Sequence, residues 1–194
     1  MFPGDQPYRW YLETDATGPV SWYGKSKLAG EESVLKYPGC RPLIFRTAWL
    51  YSRTGHNFPK TMLRLALADP GRMIRVVNDQ YGSPTWSLSL ARQIEKVLVD
   101  YPPPGVYHAT AEGCCTWFEF ANYFLHAMQV PHLLEPCRSV DYPTPAKRPM
   151  NSVLENTRLK ALGLNVMTDW RADLDEFVRI HRVELLDEVK NVAK

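Results

Sequence analysis

The chain has 194 residues, and its 23 basic and 21 acidic side chains leave a formal net charge of +2. Such a balance, with the two signs interspersed, predicts no binding to nucleic acid or to an anionic membrane surface. No apolar run approaches the roughly 20 residues of a membrane span. A hydrophobic content of 45% instead indicates a soluble globular protein with a sizeable core.

Cysteine usage and the first residues bear on the cellular compartment. The cysteines have neither the spacing of a disulfide framework nor a Cys-x-x-Cys pair. They are Cys40, Cys114, Cys115 and Cys137. Pro3, Gly4 and Asp5 interrupt any secretory signal. These features predict a reduced, cytoplasmic protein. The five histidines lack zinc-ligand spacing, so the sequence predicts no metal site.

The first predicted elements are a loop over residues 1–20 and a helix over 21–36. One stripe of this helix carries Tyr23, Lys27, Gly30 and Val34. A glycine costs about 1 kcal/mol in a helix interior. Gly24 and Gly30 therefore predict the close approach of another backbone, from a facing helix or from a dimer partner.

The rest of the chain alternates between strand and helix patterns. The apolar run at 42–45 is typical of a strand buried on both faces of a parallel sheet. Further strands are predicted at 73–77 and 106–109, helices at 57–68, 87–99, 117–128 and 170–186, and an irregular Pro-rich arm at 137–156. The helix at 117–128 is the clearest, because Thr116 and Glu119 form a capping box before an apolar stripe. The alternation predicts an α/β fold with a smaller lobe, built from the segments after Asn78, over the carboxyl edge of the sheet.

Tyr23 and Lys27 are the candidate catalytic residues. Residues four apart on a helix share a face, so the ammonium group of Lys27 can lie against the phenol of Tyr23. A neighbouring cation favours the phenolate, which makes the phenol a better proton donor when a ketone is reduced to an alcohol. The same lysine can hold the ribose of a nicotinamide cofactor. The alternative is a surface tyrosine stacked on a lysine stem.

The sequence around this pair resembles the extended short-chain dehydrogenases/reductases, and most closely their dTDP-4-dehydrorhamnose reductase branch. The helix segment is WYGKSKLAGE at 22–31. Further segments match the family in order: FPG at 2–4, ETDAT at 13–17, RTAWLY at 46–51, NFPKTMLRL at 57–65, NDQYGSPT at 78–85, GVYH at 105–108, Thr116-Trp117 and YPTPAKRPMNS at 142–152. The resemblance implies that Tyr23 and Lys27 are both catalytic and cofactor-binding. It also implies NADPH as the cofactor, with NADH as the alternative.

The same resemblance implies three substrate-binding residues. Trp49 corresponds to a tryptophan beside the sugar, to which an indole offers a flat apolar face and one N–H donor; the alternative is a core tryptophan at a strand end. Asn57 borders the nucleotide sugar and can also be a helix N-cap. Arg148 suits bidentate capture of the pyrophosphate, with a solvated loop arginine as the alternative. No roles are assigned within the segment at 80–85.

One motif of the family, its Gly-rich turn, is not found in this sequence. The family begins with a Rossmann half of about a hundred residues, whose Gly-rich turn holds the cofactor pyrophosphate. None of the eleven glycines here forms G-x-G-x-x-G. We therefore expect the C-terminal part of a Rossmann-like parallel sheet with a smaller α/β substrate-binding lobe. Residues 1–77 are expected to be the remainder of the dinucleotide-binding domain, with the helix that carries Tyr23 and Lys27. Residues 78–194 are expected to form mainly the substrate-binding lobe.

Three functions are compatible with these residues. The first is NADPH-dependent reduction of a dTDP-sugar, dTDP-4-dehydrorhamnose, to dTDP-L-rhamnose with Tyr23 as the proton donor. The second is a non-catalytic nucleotide-sugar-binding or regulatory module, related to the regulatory subunit of methionine adenosyltransferase. The third is an inactive fragment whose exposed apolar surface causes self-association. The resemblance is compatible with a homodimer and with a bound Mg²⁺, and no residue in the sequence locates the metal.

Overall fold

The helix that carries Tyr23 and Lys27 begins and ends as the sequence predicts. In a computed structural model that describes residues 1–142 and 148–192, helix α1 spans Trp22–Lys36. Ser21 is its N-cap, and the Ser21 hydroxyl accepts a hydrogen bond of 3.1 Å from the backbone N–H of Gly24. A Cβ on Gly24 would lie 2.9 Å from Cβ of Pro19, so the close neighbour at this position is the loop that precedes the helix rather than a facing helix. A Cβ on Gly30 would meet no described atom within 4 Å outside its own helix, so a facing helix is not found there and the dimer partner stays a prediction.

The strands form short pairs, three parallel and one antiparallel. In chain order they are β1 (Leu43–Arg46), β2 (Leu50–Tyr51), β3 (Met73–Val77), β4 (Tyr81–Gly82), β5 (Thr85–Trp86), β6 (Gly105–His108), β7 (Cys115–Thr116) and β8 (Leu133–Cys137). The parallel pairs are β1 with β6, β2 with β5, and β3 with β8, whereas β4 and β7 are antiparallel. Parallel strands joined through helices confirm the α/β class.

The remaining helices cover the strand pairs. They are α2 (Phe58–Ala68), α3 (Ser87–Asp100), α4 (Trp117–Ala127), α5 (Thr157–Ala161) and α6 (Trp170–Val192), with a 3₁₀ turn at Ser139–Asp141. The capping box of α4 is confirmed: the Glu119 N–H donates to the Thr116 hydroxyl, and the Thr116 N–H donates to the Glu119 carboxylate. Helix α6 continues six residues beyond the predicted end at 186, to Val192.

Most of the apolar burial lies in one aromatic core, formed by α2, α4, α6 and the strands beside them. Its largest members are buried to 2% exposure or less: Tyr51, Trp86, Phe120, Phe124, Trp170 and Phe177. The Phe177 ring packs edge-on against Tyr51 at 5.2 Å and against Trp86 at 5.8 Å. This core joins residues on both sides of position 77, and the division at that position stays a prediction.

Two of the strands also differ from the sequence expectations. Strand β1 is half-buried at all four residues rather than buried on both faces, because β6 is its one partner among the described residues. The sequence pattern does not predict strand β8, since Glu135 and Pro136 interrupt its apolar residues and its pairing with β3 is distant in sequence. Of the irregular arm, residues 143–147 lie outside the described residues. No helix in the described part of the chain has the length and hydropathy needed to cross a membrane.

Candidate active site

A cavity of about 660 Å³ lies between α1 and the carboxyl end of β1. From α1, one face contributes Tyr23, Lys27 and Glu31, which follow one another at four-residue spacing. The segment from 44 to 50 forms the opposite wall. The remaining lining residues are Met1, Phe2, Pro19, Val20, Ser21, Gly24, Pro149, Asn151, Ser152 and Leu154. The structure therefore places Tyr23, Lys27 and Trp49 around one cavity. This is the arrangement expected if the three residues belong to one cofactor- and substrate-binding site.

Tyr23 and Lys27 lie side by side on α1. The Lys27 Nζ is 5.5 Å from the centroid of the Tyr23 ring, within the range of a cation–π contact. Tyr23 is 68% exposed, so its hydroxyl is accessible to a ligand in the cavity. A phenol supplies one O–H donor and the ammonium group three N–H donors. The pair can therefore protonate one oxygen and bind hydroxyl groups next to it.

Glu31 lies one turn beyond Lys27, but its carboxylate is paired with Arg46. The Arg46 guanidinium donates to both Glu31 carboxylate oxygens at 2.7 to 3.1 Å. Both side chains are about nine-tenths buried, and a bidentate pair of this kind is geometrically fixed. Lys27 makes no ion pair within residues 1–142 and 148–192. The ion pair thus links α1 to β1. The Lys27 ammonium group is therefore available to a ligand in the cavity.

Asn151 holds together the arm that forms the cavity floor, a role that the sequence analysis does not predict. Its amide donates to the backbone oxygens of Gln6 at 2.9 Å and Arg9 at 2.6 Å. Its amide oxygen accepts from the Val153 N–H at 2.9 Å. Asn151 is 1% exposed, so the loss of these bonds would strand buried backbone groups. A single Asn in a Pro-rich segment carries no signal that could have predicted this.

Two of the predicted substrate residues lie outside this cavity. Asn57 is the N-cap of α2: its oxygen accepts from the Lys60 N–H at 3.2 Å, and its nitrogen donates to the Ser52 backbone oxygen at 2.7 Å. The N-cap prediction is confirmed, and these two bonds hold the amide in place. Arg148 is exposed and directly precedes Pro149, which lines the cavity. Among the described residues, neither Asn57 nor Arg148 is a lining residue.

The cavity wall fits one end of a nicotinamide cofactor. The Thr47 hydroxyl and Nη1 of Arg46 are buried without a hydrogen-bond partner, which is costly unless a ligand or another group pairs with them. With Tyr23 and Lys27 they offer polar groups for a nicotinamide and its ribose. The pyrophosphate end has no such support, since the sequence contains no Gly-rich turn before a helix. The described residues hold no cluster of three or more His, Cys, Asp or Glu that suits a metal ion.

A tyrosine and a lysine one turn apart on a helix, lining a cavity of an α/β fold, are the arrangement expected of a Rossmann-type reductase of the short-chain class. Comparison with known proteins narrows this class. The sequence model of the family described as "RmlD substrate binding domain" matches residues 1–183, and the chain belongs to this family.

Relatives with a curated name agree with this assignment. The chain is 39% identical over 181 residues to the dTDP-4-dehydrorhamnose reductase of Escherichia coli (strain K12), a match that covers 88% of this chain and 59% of that protein. It is 40% identical over 183 residues to the reductase of the same name from Streptomyces griseus, covering 91% and 59%. The chain therefore spans about 59% of the length of these relatives.

Solved structures give the same result. The dTDP-4-dehydrorhamnose reductase of Clostridium acetobutylicum superposes with a TM-score of 0.84 at 36% identity, covering 92% of this chain and 62% of that one. The Bacillus anthracis enzyme, solved in complex with NADP, superposes with a TM-score of 0.82 at 34% identity, covering 91% and 60%.

Proposed function

We propose that this chain is the substrate-side part of an NADPH-dependent reductase that converts dTDP-4-dehydrorhamnose to dTDP-L-rhamnose. The observation that carries the proposal is the cavity in which Tyr23 and Lys27 lie opposite Trp49. The relatives named above are reductases of this sugar, and one of their solved structures contains NADP. NADH is the alternative cofactor, and neither Mg²⁺ nor a homodimer has a located site.

The proposed chemistry assigns one task to each residue. NADPH, when bound, supplies the hydride that reduces the C4 ketone. The Tyr23 hydroxyl donates its proton to the C4 oxygen, so that the ketone becomes an alcohol and Tyr23 a phenolate. The Lys27 ammonium stabilises that phenolate and binds the cofactor ribose. Arg46 holds Glu31 away from Lys27, which keeps the ammonium charge available to the phenolate.

The test compares two lysines of the same helix. Lys27 lines the cavity, whereas Lys25 contacts the Trp22 ring at 4.9 Å and does not line it. We expect Lys27→Ala to weaken NADPH binding at least tenfold, as measured by protein fluorescence, and Lys25→Ala to change it less than twofold. We also expect Tyr23→Phe to abolish NADPH oxidation with dTDP-4-dehydrorhamnose and to weaken NADPH binding less than Lys27→Ala does. Equal effects of the two lysine substitutions would contradict the assignment of Lys27.

The alternative function is the one that the sequence leaves open beside the reductase. A chain that binds the nucleotide sugar but not the cofactor would be a non-catalytic binding or regulatory module. The same titrations separate the two functions. Binding of dTDP-L-rhamnose without NADPH binding up to millimolar concentration supports the module, and binding of neither ligand contradicts both.

A further inference from the structure

Lys27 lies midway between two side chains that compete for its ammonium group. Tyr23 precedes it by four residues of α1 and Glu31 follows it by four, so each is one helical turn away. The two lie in opposite directions along the helix, so an ion pair with Glu31 would draw the ammonium group away from the phenol. In this structure the Lys27 Nζ is 5.5 Å from the Tyr23 ring centroid, and Glu31 pairs with Arg46 instead.

Arg46 keeps Glu31 out of this competition through a fork of two guanidinium nitrogens. Its Nε donates to both carboxylate oxygens at 3.1 Å, and its Nη2 donates to Oε2 at 2.7 Å. Such a fork forms in one orientation of the planar guanidinium group, whereas a point charge would have no preferred orientation. Whatever fixes the plane of the Arg46 guanidinium therefore also decides whether the Glu31 carboxylate can reach Lys27.

Phe2 lies against the Arg46 guanidinium. Cζ of Arg46 is 5.2 Å from the Phe2 ring centroid, within the range of a cation–π contact. The Phe2 ring stacks on Tyr11 at 4.5 Å, with 4° between the planes, and packs edge-on against His108 at 5.5 Å. Tyr11 is 2% exposed, and backbone hydrogen bonds of 3.0 and 2.9 Å join it to the arm at 153–155. The ring that contacts Arg46 is thus held by parts of the chain other than α1.

We propose that Phe2 is a positioning residue for Lys27: it holds the Arg46 fork on Glu31, and so leaves the Lys27 ammonium group to Tyr23. The inference rests on the proposed function, in which that ammonium group stabilises the Tyr23 phenolate. Phe2 transfers no proton, and it acts on Lys27 through Arg46 and Glu31. A ring that only filled space would have no effect on the charge of a lysine on another element.

Two substitutions separate the aromatic face of Phe2 from its bulk. Phe2→Leu keeps an apolar side chain but has no aromatic face for the guanidinium group. The Arg46 fork should loosen, Glu31 should pair with Lys27 for part of the time, and this pair should favour the charged, unreactive form of the amine. Phe2→Tyr keeps the aromatic face and should behave as the unsubstituted protein does.

The experiment measures how fast trace acetic anhydride acetylates individual lysines of the 194-residue chain at pH 8, as read by mass spectrometry. An ion pair at four-residue spacing is weak, so we expect Phe2→Leu to slow the acetylation of Lys27 about two- to threefold. Lys25, on the same helix but outside the cavity, should keep its rate. Tyr101→Leu is the matched control: it removes a ring 4.3 Å from the Arg41 guanidinium and should leave Lys27 unaffected.

A double-mutant cycle with Glu31→Gln distinguishes positioning from a general loosening of α1. Without the carboxylate charge at position 31, Phe2→Leu should no longer slow the acetylation of Lys27. Equal slowing with and without the carboxylate would overturn the inference, and so would an unchanged Lys27 rate in Phe2→Leu. If Phe2→Leu fails to fold, Phe2→Met, whose unbranched side chain adapts to the space, takes its place in the cycle.

Titration of the unsubstituted chain with NADPH, read by protein fluorescence, separates this inference from the proposed function. Acetylation needs no bound ligand, so the cycle can be measured whether or not NADPH binds. If NADPH does not bind up to millimolar concentration, the proposed task of Lys27 is wrong, whereas the acetylation rates still decide whether Phe2 directs its ammonium group. If NADPH binds and the cycle shows no dependence on the Glu31 carboxylate, the inference is wrong and the proposed function stands.

Discussion

The two walls of the cavity differ in how the rest of the chain supports them. Trp49 lies against the aromatic core, between Trp117 and Gly82, and its neighbours are fixed by α4 and by the short strands. The opposite wall is α1, of whose fifteen residues only Gly24 is buried. The proposed proton donor thus lies on the element that this chain supports least. The wall that contains Trp49 is preorganised by packing within the chain. The wall formed by α1 is held by a few contacts, such as the ion pair between Glu31 and Arg46.

The largest expected consequence of this difference is self-association. Trp22 of helix α1 is 84% exposed, Tyr37 at its C-cap is 69% exposed, and β1 is half-buried at every residue. Exposed apolar patches beside an unpaired strand edge favour association. We expect light scattering to show species heavier than the 22.3 kDa monomer, and Trp22→Lys to reduce their fraction. A monomer that melts sharply would contradict this prediction.

Matched leucine truncations test the comparison directly. Leu125 of α4 is 0% exposed, and Leu35 of α1 is 44% exposed. We expect Leu125→Ala to lower the free energy of unfolding by about 4 kcal/mol, because it leaves a cavity in the core. Leu35→Ala should lower it by less than about 0.5 kcal/mol. Both values follow from urea denaturation, and similar costs at the two sites would show that α1 is buried in solution.

The ion pair between Glu31 and Arg46 is the strongest tie between α1 and β1. Arg46→Met should lower the free energy of unfolding by about 3 kcal/mol, since it leaves the buried Glu31 carboxylate unpaired. The double variant Arg46→Met/Glu31→Leu should recover most of the loss. Arg179→Met, which breaks an exposed pair with Glu176, is the control and should cost less than about 0.5 kcal/mol. A double variant as unstable as the single one would contradict the explanation.

The same contrast explains which features the sequence predicts. Helix α4 is predictable from its capping box and apolar stripe because both are local patterns. Tyr23 and Lys27 are predictable because four-residue spacing on a helix is also local. Strand β8 and the stack of Trp49 on Trp117 are not, since each depends on contacts between segments far apart in sequence. At Gly30 a local rule predicts a close neighbour from a facing helix or a dimer partner, and the described residues of this chain supply none.

Helix caps provide a smaller and more local comparison. The Thr116 hydroxyl accepts from the Glu119 N–H at 3.1 Å and donates to the Asn78 side chain at 2.7 Å. Thr116→Ala should therefore lower the free energy of global unfolding by about 1 to 2 kcal/mol. Ser21→Ala removes the equivalent cap of α1, whose opening need not unfold the core. We expect it to accelerate amide hydrogen exchange within α1 with little change in global stability. A global loss equal to that of Thr116→Ala would contradict the separation of the two regions.

The smallest effect concerns His108, which lies on β6 beside Arg46 of β1. Its side chain is 0% exposed, and burial lowers the pKa of His108 below the usual value, with Arg46 adding to the shift and Glu13 opposing it. The neutral ring fits this site: Nδ1 lies 3.1 Å from the Glu155 backbone oxygen, to which it can donate. The unfolded chain therefore binds the His108 proton more tightly than the folded one.

The stability contributed by this group is present above the unfolded pKa of about 6.5 and is lost as the pH falls through the lowered folded value. The melting temperature should consequently fall between pH 7.5 and pH 5. His108→Asn keeps a donor near the Glu155 oxygen but does not titrate, so its melting temperature should depend less steeply on pH. A steeper loss in the unsubstituted protein would show that protonation of His108 destabilises the fold. Identical pH slopes would mean that other groups dominate the acid response.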